Sequence, residues 1–328
     1  MRRMTLPVIT ALILFSSVLI AQVNAETVIV NNPYEVVRWD NCQYHKANLH
    51  THTKNSDGAL PPSEVITGYD ERDYDILAIT DHNHFTWPWG EWDRDPEELG
   101  MIAVRGCEPS RHHHMNSFFC DYDGAEGDIE DSLSIVEDKG GLAQLNHPGR
   151  YSKDISWYKR LLDKYEILLS VEVYNQGDRY SGDRKFWDKL LTETMPERPV
   201  WGTSNDDMHG RGHMGRNWQV MLLPEGKLSR KMFRTAYKKG VFYACYDKSG
   251  EGENVVLPQS IKTKGRRIVV DADCDEEDIR WISEGDEVAR GAALSLDAEK
   301  DLGSYVRVVI HGENGARTLL QPIGLREN

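Results

Sequence analysis

The residues best suited to chemistry begin at Asn48, where the chain reads Asn-Leu-His-Thr-His-Thr-Lys-Asn-Ser-Asp-Gly. His50 and His52 stand at i, i+2. In an extended strand that spacing turns both imidazoles to one face, where they can grip a single cation. Asp57 follows, and Gly58 lets the chain turn. Ligand-type residues then recur in Thr80-Asp81-His82-Asn83, at Glu108, in His112-His113-His114, in Asn146-His147-Pro148, from Glu172 to Asn175 and in Asn205-Asp206-Asp207-Met208-His209. An unpaired buried carboxylate costs on the order of several kcal/mol, so a cluster of them points to cations. Six imidazoles and three carboxylates (His50, His52, Asp57, His82, Glu108, His114, His147, Asp207 and His209) exceed one tetrahedral zinc. They suit two or three ions, with Glu108 or Asp207 bridging. Mixed nitrogen and oxygen donors favour Zn²⁺, Mn²⁺ or Fe²⁺ over Ca²⁺ or Mg²⁺. Neighbouring residues in a strand face opposite ways, so at most two of the three consecutive histidines share a face; His114 is the expected ligand and His112 its rival.

Strands and helices must bring these residues together. From residue 40 to about 245, short apolar runs alternate with helix-like stretches, the pattern of a β/α architecture. Strands are expected at 42–49, 76–80, 101–106, 117–122, 142–145, 169–174 and 200–203. Helices are expected at 63–72, 129–139, 156–164, 183–194 and 229–239, the last capped by Ser229 and stopped by Gly240. Every ligand motif borders a strand, as active-site residues of a β/α barrel do. Seven strands predict a barrel short of eight repeats, irregular where the third-to-fourth link is too short for a helix. Residues 246–328 read as a small all-β domain entered through a Gly250-Glu251-Gly252-Glu253 linker, with a hairpin turn at Gly312-Glu313-Asn314-Gly315. Trp87, Trp89 and Trp92 form an aromatic loop, expected to pack as a lid.

Residues 1–25 have the pattern of a signal peptide: Arg2 and Arg3, an apolar run from Leu6 to Ile20, and small residues in Val23-Asn24-Ala25. Without Arg2 and Arg3 the chain has 37 basic against 53 acidic side chains, a net −16. That charge argues against generic binding to nucleic acid or anionic membranes, while leaving room for a local basic pocket. No other segment is apolar enough to span a bilayer. The expected protein is secreted or periplasmic. Five scattered cysteines show no C-x-x-C spacing and permit one or two bridges.

Taken in order, His50-Thr-His52 with Ser56-Asp57-Gly58, Ile79-Thr80-Asp81-His82-Asn83, Gly106-Cys107-Glu108, His114-Met115-Asn116, Asn146-His147-Pro148 and Asp207-Met208-His209 resemble the polymerase-and-histidinol-phosphatase (PHP) domain. The resemblance covers residues 44 to about 245 and implies a distorted (β/α)7 barrel with a trinuclear metal site that hydrolyses phosphomonoesters or phosphodiesters. It implies one metal on His50, His52, Glu108 and Asp207, a second on Glu108, His114 and His147, and a third on Asp57, His82 and His209. Asp81 would orient ligands from behind. The seventh motif departs from the family's Ser-Asp-x-His: Asp207 matches the i, i+2 relation to His209, and Asp206 is left for support or substrate contact. The leader and the strand-rich tail are similar to exported metallohydrolases of the CehA/McbA type. The implied activity is exported, metal-dependent hydrolysis of a small or oligomeric phosphoester, with His147 or His209 able to relay a proton. Arg111, Arg150, Arg211 and Arg216 are candidate phosphate clamps, Arg150 and Arg216 foremost. Hydrolysis of a carboxylic ester, carbamate or amide is the alternative activity, and a non-catalytic metal- or carbohydrate-binding protein the third reading.

Overall fold

The computed structural model describes residues 26–124, 127–299 and 301–327, and the expected leader at 1–25 lies outside the described residues. After an edge strand, β1 (Thr27–Asn31), come three neighbours in parallel: β2 (Cys42–Asn48), β3 (Ile76–Ala78) and β4 (Ile102–Val104). A second sheet holds β5 (Gly106–Cys107), β6 (Met115–Phe118), β7 (Leu142–Leu145), β8 (Leu168–Asn175) and β9 (Trp201–Asn205). Here β6 is antiparallel to both neighbours, whereas β7, β8 and β9 run parallel. β10 (Asn217–Pro224) pairs antiparallel with β2, and β11 (Phe242–Tyr246) with β10.

Parallel neighbours require crossovers, which helices supply. α1 (Pro62–Asp70) leads into β3 and the short α2 (Pro96–Leu99) into β4. α3 (Ile129–Asp138), α4 (Ile155–Lys164), α5 (Asp183–Thr194) and α6 (Arg230–Lys238) precede β7, β8, β9 and β11. Asp128 starts α3 with a reciprocal capping box to Asp131. Ser229 accepts a hydrogen bond from Met232 N at the head of α6, and Gly240, at φ 69°, follows its end.

The mixed α/β architecture agrees with the sequence, but no continuous ladder closes the strands into a barrel. β4 and β5 are halves of one extended segment broken at Arg105; β4 pairs with β3, and β5 with β6. Between β2 and β9 there is no ladder, only an isolated Thr51–Met208 bridge just past the strand ends. The strand expected at 117–122 is instead Met115–Phe118. β10 and β11 were not foreseen, because strands buried on both faces lose the alternation that marks a half-exposed one.

The C-terminal part contributes β12 (Ser260–Lys264), β13 (Arg267–Asp271), β14 (Ile279–Ser283), β15 (Asp286–Arg290), β16 (Ala293–Ser295), β17 (Tyr305–His311), β18 (Arg317–Leu320) and β19 (Ile323–Glu327). Strands β12, β13 and β16 form a sheet of their own. The others extend the main sheet in the order β1-β19-β17-β18-β11-β10-β2-β3-β4, with β14 and β15 branching from β17. Trp89 is fully buried, while Trp87 and Trp92 pack against the same core, so the aromatic loop is a packed surface. All five cysteines are free thiols.

A buried ion pair fastens β17 to α5. Arg307 donates from Nε and Nη2 to the two carboxylate oxygens of Asp188, each at 2.7 Å, and Tyr305 OH adds a bond of 2.9 Å. Removing one partner strands the other charge away from water. Asp188→Ala is therefore expected to cost about 3–5 kcal/mol of unfolding free energy. Urea denaturation followed by circular dichroism measures it, and a loss below ~1 kcal/mol would show that Arg307 finds water or another acceptor.

Candidate metal centre

Parallel strands place their C-terminal ends on one side, and an antiparallel strand brings its N-terminal end there. Accordingly His50 and His52 follow β2, His82 follows β3, Glu108 follows β5, His147 follows β7, and Asp207 and His209 follow β9, whereas His114 precedes the reversed β6. Asp57 comes from the turn before α1. Two of these residues, His147 (φ 29°) and Asp207 (φ 44°), have left-handed backbone, a cost that surrounding structure must hold in place and that is common at functional sites.

Glu108 is the hub. Its fully buried carboxylate lies 3.3 Å from His50 Nε2, 3.1 Å from His114 Nδ1 and 3.5 Å from both His52 Nε2 and His147 Nε2. Asp207 Oδ1 sits 3.3 Å from His50 Nε2 and 3.0 Å from His52 Nε2. Asp57, the exposed member, lies 3.3 Å from His209 Nε2 and 3.6 Å from His82 Nε2. All nine expected ligands thus fall in one network. Donor atoms converge in four overlapping groups: His50-His52-Asp207, His50-Glu108-His147, His82-Glu108-His114 and His52-Asp57-His82-His209. The partition differs slightly from the one the family resemblance implies, since His52 joins the Asp57 group and His114 and His147 reach Glu108 from separate groups.

Charge makes the case for cations. Among the described residues, no lysine or arginine forms an ion pair with Asp57, Glu108, Glu172 or Asp207; imidazoles are their only counter-charges. Burial opposes a charged imidazole at His50, but Asp207, Glu172 and Glu108 outweigh it and hold the pKa well above the usual histidine value. His82 is likewise raised, burial being overcome by Glu108 and Asp57. Burial would raise Glu108 and Asp207, yet the imidazoles, His50 first, keep both well below the usual carboxylate range. Several inward atoms also lack hydrogen bonds. His82 Nδ1 and Glu108 Oε2 are 2.7 Å apart without hydrogen-bond alignment, and each is buried and unpartnered, as is His52 Nδ1. Lone pairs that approach without pointing at one another suit coordination to a common ion. The donor set therefore fits transition-metal ions.

Behind the ligands, buried carboxylates fix the geometry. Glu172, on β8, lies 2.8 Å from His50 Nδ1 and accepts bonds from His147 N (2.9 Å), Asn175 Nδ2 (2.8 Å) and Asn205 Nδ2 (2.9 Å). It holds His50 in the tautomer that leaves Nε2 free for a metal. Sequence reading flagged the Glu172–Asn175 stretch without giving Glu172 this task. Among the described residues, Asp81 makes no hydrogen bond or ion pair to a ligand side chain. It accepts from Thr53 N (2.6 Å), Thr53 Oγ1 (2.7 Å), Ser56 Oγ (2.6 Å) and Thr86 Oγ1, and so fastens the turn carrying Asp57. Gly58 closes that turn: a Cβ there would meet the His52 carbonyl oxygen at 2.5 Å. Asp206 faces away and accepts the backbone N–H groups of Gly215, Arg216 and Asn217 and the Tyr69 hydroxyl.

The other candidates separate just as clearly. His112 bonds to Ser132 and His113 to Tyr158, which leaves His114 to face Glu108. His213, outside the nine, accepts at Nδ1 from His209 N at 3.2 Å. Arg211 pairs with Glu64, and Arg111 is exposed. Arg150 lies on the turn after His147, near enough to reinforce the lowering that burial imposes on His114. Arg216 does the same for His213.

No family model matches the sequence, and no curated protein matches it. Among solved structures, a two-domain protein from Bacteroides vulgatus, described as containing a predicted PHP-like metal-dependent phosphoesterase, superposes with a TM-score of 0.50 at 15% identity, over 89% of this chain and 91% of that one. An amidohydrolase from Chromobacterium violaceum gives 0.40 at 19% identity over 50% and 87% of the two chains. A candidate metal-dependent phosphoesterase from Bifidobacterium adolescentis gives 0.42 at 15% over 60% and 96%. The first likeness shows the fold alone: a mixed α/β arrangement shared over most of both chains.

Two measurements test the centre. Glu172→Gln keeps the shape but removes the charge behind His50, and should weaken metal binding about 10–100-fold in chelator competition. Because His50 and His82 hold protons above the usual pKa of about 6.5, metal binding near neutral pH should release protons, and affinity should fall as pH drops. Calorimetry in buffers of different ionisation enthalpy reads that release.

Proposed function

We propose that this chain is an exported metal-dependent phosphoesterase of the PHP type, with its chemistry in residues 26–245 and with residues 246–328 bracing that unit through β18 and Arg307. The observation that carries the reading is the buried Glu108, ringed by imidazoles and free of any lysine or arginine partner, on a fold shared with a protein described as PHP-like. Export is supported by the leader pattern of residues 1–25, and no helix among the described residues is long and apolar enough to cross a membrane.

His50, His52 and Asp207 would hold one divalent ion and Asp57 with His52, His82 and His209 another, while Glu108 would be shared between His50 with His147 and His82 with His114, a site for two or three Zn²⁺, Mn²⁺ or Fe²⁺ ions. Such ions, when bound, neutralise phosphoryl oxygens and make water nucleophilic at neutral pH. The protein's own contribution is placement. Glu172 orients His50, Asp81 sets the Asp57 turn, and Asp206 pins the backbone of Gly215–Asn217, which carries Arg216. Arg150 and Arg216 supply fixed positive charge for non-bridging oxygens of a phosphoester, small or oligomeric. His209 donates from Nδ1 to the Asp207 carbonyl at 2.8 Å, which aims its Nε2 at the Asp57 side of the site.

Elemental analysis alongside a panel of aryl phosphomonoesters, phosphodiesters, carboxylic esters and carbamates tests the proposal. Bound transition metal and phosphoester turnover are expected. Glu108→Ala should lower turnover by more than the roughly 10–100-fold typical of residues behind metal ligands. Carbamate or carboxylic ester turnover without phosphoester turnover would overturn the substrate class.

A further inference from the structure

A basic face lies on α6, apart from the metal centre. Arg230, Lys231, Arg234 and Lys238 belong to the helix, and Lys227 and Lys239 flank it. Phe233, Ala236 and Tyr237 face the core, so at about 100° per residue the cations gather on the outward half. In a chain of net charge −14, none of these six pairs with a carboxylate among the described residues.

Three cavities adjoin the helix and its flanking cations, and Lys231 lines two of them. One, of about 490 Å³, is lined by Arg105, Phe119, Arg230, Lys231 and Arg234 and by no acidic residue. Its cations are braced: Arg105 and Arg230 lie over the Trp87 ring at 5.0 and 5.8 Å, and Arg234 lies over Phe119 at 5.1 Å while donating to the Gly140 carbonyl. The other, of about 510 Å³, has walls from Val36, Val37, Leu223, Met232 and Val241, with Arg38 and Lys239 also on its lining. Val36 is 58% exposed, the most exposed of the four large hydrophobic side chains open to solvent among the described residues. Both volumes fall within the ~300–1,000 Å³ of small-molecule sites.

We propose that this face binds a free anionic amphiphile, its acyl chain in the apolar cleft and its carboxylate or phosphate head between Arg105, Arg230 and Arg234. A bare anion would leave the cleft wet, and a neutral lipid would leave the cations unanswered; one molecule carrying both features meets both. A dispersed molecule fits better than an anionic bilayer. The protein's net negative charge repels an extended anionic surface, whereas a single molecule lies within a Debye length, about 10 Å, of the local cations.

Calorimetric titration of the purified full chain with dodecanoate below its micellar concentration tests this. Acetate, a neutral dodecyl glycoside and vesicles of anionic phospholipid serve as comparators. Dodecanoate should bind saturably and at least about tenfold more tightly than acetate or the glycoside, as charge-assisted hydrogen bonds added to apolar burial require. Arg230→Glu with Arg234→Glu should weaken it about tenfold or more, and Thr235→Trp, which fills the apolar cleft, should do the same. All three positions lie outside the metal centre, so circular dichroism and metal content should not change. Equal binding of the glycoside, indifference to these variants, absence of binding, or binding to vesicles alone would each overturn the proposal.

Discussion

A carboxylate buried among imidazoles is the constraint on which the rest of this structure depends. Glu108 is inaccessible to water, and desolvation alone would push it toward neutrality. It stays ionised because His50, His114 and His147 surround it. Those imidazoles are usable only if their rings are held, and each hold comes from elsewhere: Glu172 behind His50, the reversed strand β6 after His114, and a strained backbone at His147. A folded chain accepts so concentrated a set of costs where positive charge can be recruited from solution.

Spacing read from the chain identified much of this. His50 and His52, two residues apart just past the end of β2, do meet the same carboxylate, and the nine proposed donors do converge. Selection among neighbours needed the fold. Strand alternation left His112 and His114 as rivals, and what separates them is that Ser132 and Tyr158 wait on the outer side to bond His112 and His113. Asp206 and Asp207 differ in what the fold sets against them: Asp206 meets three backbone N–H groups and the Tyr69 hydroxyl, whereas Asp207 meets His50 and His52. The task of Glu172 was hidden for a different reason. Its donors come from residues 50, 147, 175 and 205, so no local pattern announces them.

The architecture was legible to a similar depth. Helices with caps and apolar periodicity lie close to where the sequence put them, and α5 agrees at both ends. Strands buried on both faces were harder, and β10 with β11 escaped notice although they carry the main sheet from β2 to the C-terminal strands. The basic stripe on α6 was concealed by averaging: an acidic total says nothing of where the minority charge collects.

The seam between β2 and β9 has a consequence of its own. A sheet normally resists widening because every step breaks a rung of backbone pairing, but here a lone bridge spans the gap while His50 and His52 face Asp207 across it. Adhesion along this edge is shared between those side chains and a few main-chain bonds, His52 N to Met208 O, Met208 N to His50 O and Ala59 N to His209 O. The mouth of the pocket can therefore broaden or narrow in descendants of this sequence by exchanging loops on either flank, without unzipping the scaffold, and any cation seated there doubles as a rivet.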